Sequence, residues 1–99
     1  MTWDDINRPM GKMRSNIEHN ISDIAFRAEI CVLAGMTYSG KRNILRLKEL
    51  ITKALKEKIT KSNIETAVKN GKTDAIREFK KYKSGHSDYA DPDDIINCR

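Results

Sequence analysis

The residues able to do chemistry in this 99-residue chain are few and scattered. His19 and His86 are its only imidazoles, and neither has a second histidine three or four positions away. That spacing is what sets two metal ligands on one helix face. His86, Asp88 and Asp91 form a loose donor set for a divalent cation, but a calcium loop needs a turn glycine and a terminal glutamate, and both are missing. Cys31 stands in the most apolar stretch, where a thiol packs rather than reacts. Cys98 sits in an acidic tail whose charge disfavours a thiolate. No catalytic residue, metal site or cofactor site is assigned, and the protein is expected not to be an enzyme.

Basic side chains are the larger chemical resource. Nineteen Lys and Arg against fourteen Asp and Glu give a net charge of +5, but its distribution is uneven. Residues 1–40 carry −1, residues 41–83 carry +9, and residues 84–99 carry −3. Charge segregated this way marks either a polyanion-binding face or Lys-rich helices solvating themselves. The basic half holds eleven Lys and three Arg, a ratio that favours diffuse phosphate contact over bidentate reading of bases.

Two motifs bear on an anionic ligand. Gly35-Met36-Thr37-Tyr38-Ser39-Gly40-Lys41 satisfies G-x-x-x-x-G-K and resembles the phosphate-binding loop of nucleotide triphosphatases. It departs from that loop at Arg42, where Ser or Thr would hold magnesium, and the Ile24, Ala28, Cys31 spacing before it is helical rather than a strand. A simple anion site at Gly40-Lys41-Arg42, on a helix N-terminus, is the milder expectation. Ala67-x-x-x-Gly71 resembles the small-residue-to-turn-glycine spacing of the helix-turn-helix DNA-binding family. Here Arg77 occupies the position of the next buried aliphatic, and Ile76 comes one residue early.

The elements that must position these residues are helices. Thr2, Asp4 and Asp5 suggest a capped first turn, which Pro9 and Gly11 should end. Met10, Met13, Ile17, Ile21, Ile24, Ala28 and Cys31 then recur at steps of three and four. They predict a central helix starting at Lys12 or Asn16, most buried over residues 25–34 and stopped by Gly35. A loop over residues 36–40 should present Tyr38. A second helix is expected from Lys41 to Lys58, with Ile44, Leu47, Ile51, Ala54, Leu55 and Ile59 on one face. Ser62-Asn63-Ile64-Glu65 reads as a cap opening a third helix that ends near Asn70-Gly71. Thr73 then caps a fourth, carrying Ala75, Ile76, Phe79 and Tyr82. Asp91-Pro92-Asp93-Asp94 has the form of another helix start, docking Ile95 and Ile96. Trp3 is expected to anchor a small core.

The expected fold is therefore all-α, a small bundle of about four helices with short terminal turns. Residues 1–83 would form one helical domain and 84–99 an acidic tail. With 33% charged and 38% hydrophobic residues the chain is too apolar to be disordered, and two cysteines exclude a disulfide scaffold. It lacks the run of about 20 apolar residues that a membrane span needs, and the acids after Trp3 argue against a signal peptide. A cytoplasmic location and no membrane partner are expected. The first functional expectation is a nucleic-acid-associated protein touching phosphates through Lys41, Arg42, Arg46, Lys72, Arg77, Lys80, Lys81 and Lys83. Its alternative is a protein-binding accessory subunit or regulator acting through helix faces and the acidic tail, with Tyr38 and Tyr89 as contacts. A homodimer is the third partner considered, if the central stripe forms a seam. Basic side chains gathered on one surface favour nucleic acid; basic side chains that scatter favour protein.

Overall fold

The structure, a computed structural model, describes residues 9–85 and 91–97, with side chains placed from Asn16 onward. Its elements are α1 (Pro9–Leu33), α2 (Thr37–Lys56), α3 (Lys61–Lys83) and α4 (Pro92–Asn97), with no strand among the described residues. The expected all-α bundle is what forms, but several of its boundaries differ from the sequence expectation. Thr2, Trp3, Asp4, Asp5, His86, Asp88, Tyr89 and Cys98 lie outside the described residues.

Pro9 does not interrupt α1; it occupies the first helical position, where the missing N–H costs nothing and φ is already suitable. At the other end Gly35, at φ 74°, closes the helix. Its N–H donates to the Val32 carbonyl at 3.1 Å, and the Met36 N–H donates to Cys31 at 2.7 Å, a Schellman closure. The end of α2 repeats this device without a glycine. Lys58 takes φ 62°, donating to Leu55 at 3.1 Å, while Ile59 donates to Ala54 at 3.1 Å. Ile59 is thereby turned into the core, and Thr60 follows as the cap of α3, its hydroxyl accepting from the Asn63 N–H at 3.2 Å. The expected cap at Ser62 is displaced two residues, because Ser62 is already helical and its carbonyl accepts from the Thr66 hydroxyl.

α3 is continuous through Asn70-Gly71, so the expected third and fourth helices are one, and Thr73 caps nothing. The glycine serves packing. A Cβ at Gly71 would penetrate the Ser22 carbonyl oxygen and stand 3.0 Å from the Ala25 Cβ of α1. Ala67, Gly71 and Ala75, spaced four apart, form a small-residue stripe that lets α3 lie close on α1.

α1 is the middle element. α2 and α3 each pack along it and barely touch one another. One core cluster joins Ile17, Ile21 and Ala25 to Leu47, Ala54, Ile59, Ile64 and Ala67. A second joins Phe26 and Ile30 to Ala75, Phe79 and Ile95 of α4. Asp91 caps that short helix by accepting from the Asp94 N–H at 3.0 Å, and its Ile95 is buried. The radius of gyration is 15.0 Å, with extents of 44 × 29 × 19 Å. A compact chain of this length has a radius near 13 Å, so the molecule is flattened and leaves apolar side chains at its surface.

Candidate binding groove

The basic residues named from the sequence lie on the solvent sides of α2 and α3, spread around each helix. About 100° per residue separates side chains around a helix, which puts Lys81 and Lys72 on opposite edges of α3, with Arg77 and Lys80, three positions apart, as neighbours on the outer face between them. Arg77 is paired with Asp74 at 3.0 Å, and Lys81 with Glu78 at 3.6 Å. The Lys83 ammonium lies 5.4 Å from the centre of the Phe79 ring, a cation–π distance. On α2, Arg42 and Arg46 point to one edge and Lys41 to the other. Arg46 lines a cleft of about 520 Å³ between α1 and α2, beside Asp23, Arg27, Glu49 and Lys53. Those charges alternate in sign, and Arg27 faces Asp23 at 3.5 Å, so the cleft compensates itself.

The milder anion site is also displaced. α2 begins at Thr37, not Lys41, and the Gly40 N–H donates to the Met36 carbonyl at 2.8 Å inside the first turn. The N–H groups of Gly40, Lys41 and Arg42 are thus interior to the helix and unavailable to a phosphate. Gly40 is buried against Cys31 and Val32 instead. Tyr38, expected in a loop, stands on this first turn with 79% of its surface exposed.

Cys31 is buried, and its thiol receives the Asn43 amide at 3.6 Å. Burial pushes its pKa up, and the nearby Asp93 carboxylate adds to that; the Asn43 hydrogen bond and the Arg27 charge oppose the shift. The group is a neutral packing thiol, as its apolar neighbours implied.

What the sequence expectation missed lies between α2 and α3. The proposed single stripe on α2 is split: Leu47 and Ala54 face α1, while Ile44 is 38% and Leu55 53% exposed. Ile76, expected in the core, is 39% exposed on α3. Leu55 and Ile76 line an open groove of about 670 Å³ whose floor is Ile51, Leu55, Ile64, Val68 and Ile76, while Ile44 lies beside Val32 and Gly40. Lys61, Lys69 and Lys72 stand along its α3 wall with Glu65 and Thr73. On α2, Lys41, Ile44, Lys48, Ile51 and Leu55 recur at steps of three and four and so share one edge. The signal for this groove was in the sequence. An apolar arc including Ile44, Leu45, Leu47, Ile51, Ala54 and Leu55 is wider than one neighbouring helix can cover.

Among the described residues no group of His, Cys, Asp and Glu has metal-site geometry, and no helix is long and apolar enough to cross a membrane. No family model, curated protein or solved structure matches the chain.

Proposed function

We propose that this chain is a non-enzymatic binding module that holds a helical segment of a protein partner in the groove between α2 and α3. The observation carrying the proposal is the apolar floor, in which Leu55 and Ile76 are 53% and 39% exposed in one groove. Contiguous apolar surface rimmed by polar residues is the usual mark of a protein contact site. Two antiparallel helices with a furrow between them present the shape that receives a third through anchors at i, i+3, i+4 and i+7.

Nucleic-acid binding is the second reading, favoured by Lys41, Arg42 and Arg46, for which no ion pair occurs among the described residues. It is weakened by the pairing of Arg77 with Asp74 and of Lys81 with Glu78. It is weakened further by Asp93 of α4, which lines the same pocket as Arg42 and Arg46 and would meet an approaching phosphate. Methyl NMR separates the two. At about 0.15 M salt, an amphipathic helical peptide with neutral flanks should shift the methyls of Ile51, Leu55, Val68 and Ile76. Duplex DNA or RNA binding more tightly than the peptide, with shifts at the Ile96 methyls beside Arg42 and Arg46, would overturn the proposal.

A further inference from the structure

Resting on that reading, we infer that the occupant of the groove is an amphipathic helix carrying acidic residues on both flanks of its apolar stripe. The argument is charge complementarity around a fixed apolar floor. Lys61, Lys69 and Lys72 stand along the α3 wall, against Glu65 as its one acid. On α2, Lys48 falls at helical spacing beside Ile51 and Leu55, the two residues of that helix that line the groove. The one acid of α2, Glu49, lies elsewhere, lining the cleft on the far side. A ligand helix seated on the floor would therefore meet lysines at both of its sides. Aspartate or glutamate there gains from both rims, whereas lysine or arginine is repelled.

The same charges argue against other occupants. A second copy related by twofold symmetry would bring lysine rim onto lysine rim. Nucleic acid would satisfy the rims but leave the isoleucine and leucine floor facing phosphate and sugar. From Lys61 to Ile76 the wall runs about 22 Å, four turns of helix, which sets the length of the segment recognised. With α1 behind α2 and α3, the bound helix would complete a four-helix arrangement that the flattened chain leaves open.

The test uses the full chain and three fluorescein-labelled peptides of about 16 residues with one shared apolar stripe and Glu, Lys or Ser on the flanks, read by anisotropy. The acidic peptide should bind at least about tenfold more tightly than the lysine peptide, and the difference should shrink as salt rises. Lys69→Glu with Lys72→Glu should weaken the acidic peptide by about tenfold or more, and Leu55→Asp should weaken every peptide. Arg42→Glu, on the far edge of α2, should change nothing, and circular dichroism confirms that each variant folds. Equal binding of the acidic and lysine peptides overturns the acidic occupant and leaves the protein-binding reading standing. Both fall if no peptide binds and sedimentation shows a dimer that Leu55→Asp dissolves, or if only anionic phosphatidylserine vesicles or DNA bind. They fall also if peptide binds only after removal of residues 1–8, since the chain would then be filling its own groove.

Discussion

Gly71 and Gly40 each lie in a helix and each is buried, yet replacing them with alanine should move stability in opposite directions. In an unhindered helix interior, Gly→Ala stabilises by about 1 kcal/mol, because alanine loses less backbone freedom on folding. At Gly40 nothing opposes that gain: an added Cβ would meet Val32 Cγ2 at 3.5 Å and Cys31 Cβ at 3.6 Å, ordinary contact distances. Gly40→Ala should raise stability by up to about 1 kcal/mol. At Gly71 the added carbon would penetrate the Ser22 carbonyl oxygen and crowd Ala25. The carbonyl is part of α1's own hydrogen-bonded backbone and cannot rotate away, so α3 must move off α1. Overpacking of that kind costs about 3 kcal/mol or more, and the net effect is a loss of at least about 2 kcal/mol. For a domain of this size the melting temperature should fall by roughly 8–16 °C. Urea denaturation gives both free energies, with an unchanged m-value confirming that the native state is compared with a like unfolded state. Gly71→Ala as stable as the parent would refute the close approach of α3 to α1 and with it the placement of the groove.

Three further outcomes are expected. Lys58 sits in left-handed backbone at φ 62°, so Lys58→Gly should stabilise by about 0.5–1 kcal/mol, and Lys58→Val should destabilise, in the same urea assay. Thr60→Ala removes the hydroxyl that accepts from Asn63 and should cost about 1 kcal/mol, with Thr60→Ser retaining most of it; a neutral alanine variant would show that α3 starts elsewhere. Burial holds the Cys31 thiol above its ordinary pKa of 9.0, so the folded state favours the protonated form. The stability this gives is complete below the unfolded pKa and is lost as pH rises through the folded one. In a Cys98→Ser background, a thiolate-directed reagent at pH 8 should therefore react with the folded protein only at the rate of opening. A fast phase would contradict the burial.

The sequence disclosed most where local chemistry acts alone. Gly35 stops α1, the Asp91-Pro92 start produces α4, and the run from Ile17 to Cys31 forms the most buried helix. It misled where one residue type has two uses. Asn70-Gly71 has the composition of a turn, but the glycine is there for helix–helix approach, and its partner Ser22 is 49 positions away in the chain. Likewise Gly35 through Lys41 carries the spacing of a phosphate loop, while its second glycine packs on Cys31 and Val32. Charge segregation along the chain does not by itself say how the charge is arranged in space: the lysines of α3 spread around its solvent side, and those at Lys61, Lys69 and Lys72 reach the groove.

The groove and the fold have one cause. α3 meets α1 through Ala67, Gly71 and Ala75, and α2 meets it through Gly40, Leu47 and Ala54. Gly40, Ala54, Ala67, Gly71 and Ala75 let both outer helices lie close on α1, and Ile44, Leu55 and Ile76 stay outside the seam. Because α2 and α3 barely touch, no side chain of one closes over the other's exposed edge. Substituting Leu55 or Ile76 by a polar residue should then leave stability nearly unchanged, since little buried contact is lost, while the same changes remove the floor on which a partner would rest. Core variants such as Ile21→Ala should do the reverse, lowering stability by about 2–5 kcal/mol with groove affinity kept in the folded fraction. A surface whose apolar residues matter to binding but not to folding is one that folding has no use for.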